Sequence, residues 1–148
     1  MDSLRSRLKE LEDALGELES FRRQTFAELE GRRRERWALR YGMLEAIQIV
    51  IDVACAVVSH ENLGHPKSYA ECLRILGREG RLDEALAGRL ARAVGLRNVL
   101  IHDYLDVNDD LDVNDRLVFE ALENLDDLQA FAAQIARTDT DSSGNAST

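Results

Sequence analysis

Leucines at positions 4, 8, 11, 15 and 18 recur at alternating steps of four and three. That spacing lines one side of a helix with a coiled-coil-like seam and cannot be satisfied by a strand, whose side chains alternate every two residues. Residues 3 to about 30 therefore read as one long helix. Trp37, Tyr41, Leu44, Ile47, Ile51, Ala54 and Val58 keep the period and give a second, to about Ser59. His60 to Lys67 is a loop holding Gly64 and Pro66, the chain's single proline. Ser68 with Glu71 has the spacing of a capping box and opens a short third helix ending near Gly77. Gly80 turns the chain, and Asp83 caps a fourth helix carrying Leu86, Leu90 and Val94 that is expected to stop at Gly95. A further helical segment runs from Leu96 to about Tyr104. After a polar loop, Asn114 or Asp115 caps a last helix bearing Val118, Leu122, Leu125, Leu128, Phe131 and Ile135. No strand pattern survives. The expectation is an all-α, up-and-down bundle of about five to six helices over residues 1–137, with a disordered Thr/Asp/Ser/Gly/Asn tail at 138–148.

At 148 residues the chain suits one domain, and 45% hydrophobic with 32% charged residues describes a soluble globular protein. The apolar stretch around Ile49 to Val58 is broken by Asp52 and is shorter than the roughly 18 residues of a membrane span. The opening Met1-Asp2-Ser3-Leu4-Arg5 lacks the order of a signal peptide. A cytoplasmic protein with no membrane association is expected, and Cys55 and Cys72 read as reduced thiols.

The net charge of −9 is unevenly placed. Residues 32–40 hold five arginines (Arg32, Arg33, Arg34, Arg36 and Arg40) against one glutamate, whereas 98–148 hold two basic against twelve acidic side chains. The acidic overall balance therefore does not exclude local contact with a polyanion. The arginine run has two readings: a path for an RNA backbone, or a solvated face in which Glu28–Arg32 and Glu30–Arg34 pair at i,i+4, the reading the spacing favours.

Most site chemistries fail on spacing. His60, His65, Cys55 and Cys72 make no paired metal-ligand motif, and no glycine-rich phosphate loop, nucleophile elbow or HExxH is present. Leu105-Asp106-Val107-Asn108-Asp109 repeats as Leu111-Asp112-Val113-Asn114-Asp115, but a calcium loop starting at Asp106 would meet Leu111 where glycine belongs and Leu117 where glutamate belongs. A tolerated six-residue duplication is the simpler account. Asp52, inside the most apolar stretch, needs a partner or a polar cleft; a structural hydrogen bond is the default and a cleft-lining role the alternative.

One cluster remains, Arg97-Asn98-Val99-Leu100-Ile101-His102-Asp103-Tyr104. On a helix Asn98 and His102 share a face, and Arg97 and Tyr104 align two turns apart. Arg97 and His102 lie about 140° apart, so both meet one substrate only if the helix begins or kinks at Gly95, or if two copies face each other. The set combines a permanent cation with a planar fork, a proton-transfer group that titrates near neutrality, and a phenol. That suits phosphodiester cleavage without a metal. The plainer reading puts Arg97 in a surface ion pair, His102 at a helix end and Tyr104 half-buried.

Arg-x-x-x-x-His-x-Tyr with a polar residue after the arginine resembles the signature of HEPN domains, specifically the HepT-like toxins. The resemblance extends over Arg40-Tyr41 to Asp52 (Ala46-Ile47-Gln48, then Ile51-Asp52-Val53-Ala54), Leu63-Gly64-His65-Pro66-Lys67-Ser68-Tyr69, Val94-Gly95-Leu96-Arg97-Asn98, and Leu125-Asp126-Asp127-Leu128 with Phe131. It implies a helical homodimer with the motifs facing across a cleft, acting as a ribonuclease toxin that needs neither metal nor cofactor. It also implies a minimal nucleotidyltransferase (MNT) antitoxin that neutralises the toxin by attaching AMP to the motif tyrosine, here Tyr104. Arg97, Asn98, His102 and Tyr104 would then be the catalytic set and RNA the substrate. The alternative is a non-catalytic HEPN module that pairs with the nucleotidyltransferase or binds a nucleotide.

Overall fold

The computed structural model describes residues 2–105 and 111–146, with side chains at 3–98, 100–101 and 116–138. Six α-helices of ten residues or more and one short one make up the described chain, and it contains no strand: α1 (Asp2–Glu19), α2 (Phe26–Glu30), α3 (Arg33–His60), α4 (Tyr69–Arg78), α5 (Glu84–Leu105), α6 (Leu111–Glu120) and α7 (Leu125–Ala146). The all-α expectation holds.

The leucine seam does what its period requires. Leu4, Leu8, Leu11, Leu15 and Leu18 are all buried, because α1 lies against both α3 and α7. The long first helix nevertheless breaks where the sequence reading ran it on to residue 30. A 3-10 turn at Ser20–Arg23 follows α1, Gln24 is extended, and Thr25 caps α2 by accepting the Glu28 amide (3.3 Å) on its hydroxyl. Thr25-x-x-Glu28 is itself the start signal that the periodicity masked. The corner at Gly31 places Glu28 and Glu30 on one element and Arg34 on the next, so the helical i,i+4 pairs do not exist as such. Arg32 instead pairs with Glu35 at 3.3 Å.

Helix α3 is the spine of the core, burying Leu39, Met43, Ile47, Val50, Ala54 and Val58 among others. Among the described residues it alone has the length and apolar composition to cross a membrane, a longer stretch than the sequence reading allowed. Here 56% of that apolar window is buried against other helices. Ser68 caps α4 as expected, accepting from Glu71 N at 3.2 Å, while the Glu71 carboxylate accepts from Lys67 N. At the α4–α5 turn Gly80 takes a φ of +77°, and Arg81 N and Leu82 N both return to Leu76 O. Gly77 lets the two helices close: a Cβ there would sit 2.6 Å from the Ala87 Cβ.

Three further expectations are corrected. Gly95 does not stop a helix; α5 is continuous from Glu84 to Leu105, since its apolar positions on either side pack on the same bundle. Helix overrides the composition of the tail: α7 runs to Ala146, its segment past Ile135 held by the Thr138 hydroxyl on Gln134 O and by Arg81 donating to Thr138 O at 3.2 Å. The polar loop is also shorter than expected, because α6 begins at Leu111 and a 3-10 turn at Ala121–Asn124 divides it from α7. Residues 106–110 and 147–148 lie outside the described part. On the exposed side, Arg22 reaches from the 3-10 turn after α1 to Asp126 of α7 (2.9 Å), and that guanidinium holds the Asp126 carboxyl below its ordinary pKa.

Cys55 and Cys72, read as thiols, are joined as a disulfide between α3 and α4 with their Cα atoms 5.4 Å apart. The thiol reading rested on compartment alone, whereas the packing of α4 on α3 brings the two into bonding range. With the bonded positions 17 apart in sequence, reduction is expected to lower stability by about 3 kcal/mol. Urea unfolding with and without reductant checks this, and identical midpoints would mean that the bond does not restrain the unfolded chain.

Candidate active site

Arg97 sits on the stretch of α5 that faces α3 and the start of α4. Its Nε donates to Gln48 Oε1 on α3 at 2.5 Å, and its guanidinium carbon lies 5.2 Å from the centre of the Tyr69 ring. The cation is therefore held on one side by an amide oxygen and on another by an aromatic face. Gln48 is itself oriented. Its Nε2 donates to Asp52 Oδ1 one turn along α3 (2.8 Å), and Asp52 Oδ2 accepts from Arg7 Nη2 on α1 (2.5 Å). Arg7 also reaches Glu10 at 2.7 Å.

This places Asp52 within a line of contacts that ends on Arg97. The carboxylate is exposed within the most apolar stretch of α3 and finds both a cation and an amide donor. It also lines a recess of about 360 Å³ with Arg7, His60 and Glu61 at the α1–α3 junction.

Asn98, next to Arg97 and exposed, borders a separate groove of about 540 Å³ walled by Pro66, Lys67, Tyr69, Gly95 and the Cys55–Cys72 disulfide. Lys67 and Asn98 give that groove one cation and one amide, so an anionic ligand with hydrogen-bonding groups fits it chemically. His102 and Tyr104 belong to α5 by backbone, but their side chains lie outside the described residues. What the helix settles is register. With no break at Gly95, position 102 is about 140° around the axis from position 97.

The arginine run does not act as one surface. Arg36 donates to Leu29 O (3.0 Å) and to Glu30 O, closing the α2–α3 corner. Arg40 lines a small apolar crevice with Phe26, Leu39 and Phe119. Arg33 lies over the exposed Trp37 ring at 4.5 Å, and Arg32 is tied to Glu35. Arg32 and Arg33 thus stand outward, whereas Arg36 and Arg40 turn toward the packing between α2, α3 and α6.

Gln48, Tyr69 and Arg7, which contact Arg97 or Asp52, are residues of the candidate site that sequence reasoning left out. A signal for the first existed: Gln48 and Asp52 are polar positions four apart inside the most apolar stretch of the chain, a costly placement unless they bond to each other or to a common partner. Among the described residues, no group of three or more His, Cys, Asp or Glu side chains is arranged around a metal position.

Against known proteins, residues 11–135 match the model of a family described as Ribonuclease HepT-like. A stretch of 64 residues is 33% identical to the mRNA nuclease HepT of Shewanella oneidensis, covering 43% of this chain and 48%, about half, of that protein's length. Among solved structures, the tri-AMPylated Shewanella oneidensis HEPN toxin in complex with MNT antitoxin superposes with a TM-score of 0.76 at 19% identity, over 93% of this chain and 98% of that one. A mutant MntA toxin–antitoxin complex gives 0.78 at 18% identity, over 93% and 99%. The cytosolic protein of unknown function YutE from Bacillus subtilis gives 0.72 at 22% identity, over 93% and 88%. At these identities the likeness speaks for a shared HEPN fold. The family match spans most of the chain, from the leucine seam through the Arg97 helix to the end of the buried part of α7, and on that ground the chain belongs to the HepT-like ribonuclease family.

Proposed function

We propose that this chain is an endoribonuclease toxin that cleaves RNA without a metal ion, through the ribose 2′-hydroxyl. The observation that carries this reading is Arg97, positioned by Gln48 and Tyr69 on the helix that bears Asn98, His102 and Tyr104, in a chain whose family is one of ribonucleases. The 2′-oxygen attacks the adjacent phosphorus and the bond to the 5′-oxygen breaks, leaving a 2′,3′-cyclic phosphate and a 5′-hydroxyl. His102 carries the proton, taking it from the 2′-hydroxyl or giving one to the leaving 5′-oxygen. Arg97 meets the charge that builds on the phosphorane with its planar fork. Asn98 orients His102 or the phosphate, and Tyr104 positions the backbone. Of the arginine run, Arg32 and Arg33 are outward enough to follow an RNA strand, while Arg36 and Arg40 serve the fold.

The working form is a homodimer. An unbroken α5 sets positions 97 and 102 about 140° apart around its axis, so a site that uses both draws them from two copies. The partner is a minimal nucleotidyltransferase antitoxin, a reading supported by the MNT antitoxin bound to the similar HEPN toxin. AMP on Tyr104 adds bulk and negative charge to the helix where the RNA phosphate binds. The setting is the cytoplasm, where RNA is the substrate at hand.

The test is cleavage of total RNA by the purified, unmodified protein in excess EDTA, beside His102→Ala, with product ends mapped. Wild type alone is expected to cut, leaving cyclic phosphates. If neither protein cuts and intact mass shows Tyr104 without AMP, the chain is a binding module and the ribonuclease reading falls.

A further inference from the structure

Gln48 lies on α3, outside the Arg97–Tyr104 motif, and yet its Oε1 accepts a 2.5 Å hydrogen bond from Arg97 Nε on another helix. We propose that Gln48 is a positioning residue for Arg97, with Asp52 locking the orientation of its amide; the inference rests on the ribonuclease reading for its catalytic consequence but on geometry for its existence.

An amide side chain presents an oxygen or an NH2 group according to which way it is turned, and the two ends serve opposite partners. Facing Arg97, only the oxygen is useful. The NH2 end is claimed by Asp52 Oδ1 at 2.8 Å, and a carboxylate accepts but cannot donate, so the bond forms in one orientation only. The Asp52 carboxylate is in turn fixed by Arg7 at 2.5 Å. The order Arg7, Asp52, Gln48, Arg97 alternates donor and acceptor without a mismatch. It runs from α1 through α3 to α5, so the leucine-packed α1 supports the direction of the α5 guanidinium.

With Nε on Gln48 and the face of the group near the Tyr69 ring, the edge of Arg97 that carries its two terminal amino groups is the one directed at an incoming phosphate. A neutral acceptor suits this task better than a carboxylate would. Gln48 holds the guanidinium by a charge-assisted bond while leaving its positive charge for the substrate, whereas an acidic side chain at that position would neutralise part of it. The aspartate stands one residue further from the cation, where it orients without cancelling.

The test compares wild type with Gln48→Leu, which keeps the size and removes the acceptor, in the full-length protein. Two readouts are taken: steady-state cleavage of a labelled single-stranded RNA, and solvent exchange of the Arg97 Nε–H proton followed by nitrogen-15 NMR. Gln48→Leu is expected to lower kcat by about ten- to a hundredfold with KM within about twofold, as loss of an orienting partner does. Arg97 Nε–H exchange should quicken while the unfolding midpoint stays in place. Gln48→Glu is expected to lose kcat too, because two carboxylates then face each other. The double variant Gln48→Glu/Asp52→Asn, in which carboxylate and amide change places, should recover part of that loss.

Wild-type kcat in Gln48→Leu, or unchanged Nε–H exchange, overturns the proposal. So does a fall in activity that follows a fall in the unfolding midpoint. If wild type itself cuts no RNA, the ribonuclease reading fails separately, and the exchange measurement alone then decides whether Gln48 holds Arg97.

Discussion

Arg97→Ala and His102→Ala, each inactive alone, are expected to regain about a quarter of wild-type cleavage when unfolded together and refolded as a mixture. The figure follows from dimer statistics: random pairing makes half the dimers mixed, and each mixed dimer has one intact composite site of two. In that site Arg97 comes from the copy lacking His102, and His102 from the copy lacking Arg97. The expectation depends on one structural fact, the continuity of α5 through Gly95. Had the helix ended there, a turn would have been available to swing Arg97 toward His102 within one copy. Without it, five positions of ideal helix separate the two by about 140°. Native mass spectrometry of the mixture, in which the two homodimers and the mixed dimer differ in mass, establishes that mixed dimers form. Mixed dimers with no activity would show that each copy builds its site alone.

Much of this fold is written in periodicity, because periodicity is what burial enforces. The five leucines of α1 are buried as read, and on α3 Leu44, Ile47, Ile51, Ala54 and Val58 are in the core or packed on it, whereas Trp37 and Tyr41, read on the same face, stand exposed. What periodicity hid was punctuation. The chain keeps a helical pattern across residues 20–31, so the start signal at Thr25 went unread, and with it the corner that separates the glutamates from the arginines. Gly95 erred in the other direction. Glycine lowers helix propensity by about 1 kcal/mol, but that local cost is small beside the packing of Ala91, Val94 and Leu100 on either side, and α5 runs on. The tail shows the same override, with Thr138 tied back to α7 and to Arg81.

The candidate site was legible in part, as far as its contacts go. Arg97 and Asn98 follow from the motif, and Asp52 from its awkward place in an apolar helix. Arg97's partners were not, because Gln48 is 49 residues away in sequence and Tyr69 opens a different helix. The Cys55–Cys72 bond belongs with them. It depends on how α4 lies on α3, and no spacing within either helix announces that.

The second large effect concerns the core rather than the site. Phe131→Ala is expected to destabilise the protein by about 3–5 kcal/mol, most of the stability of a domain of this size at the low end of the usual range of about 5–15 kcal/mol. Phe131 is fully buried on α7, a helix that packs against α1, α3 and α5. The chain has few aromatics to spare for such a place, since Trp37, Tyr41 and Tyr69 all stand exposed. Removing the ring leaves a void at the meeting point of these helices, and three helices cannot all close on it without disturbing their other contacts. Urea unfolding followed by circular dichroism reads the loss directly. The same variant also separates fold from chemistry. Phe131 lines neither the Asn98 groove nor the Arg97 contacts, so cleavage per folded molecule should stay near wild type once the unfolded fraction is subtracted. Gln48→Leu should do the reverse, lowering cleavage while the unfolding midpoint holds. A Phe131→Ala protein that stays within about 1 kcal/mol of wild type would mean that the α1–α7 layer collapses onto small side chains, and that the leucine seam alone organises this bundle.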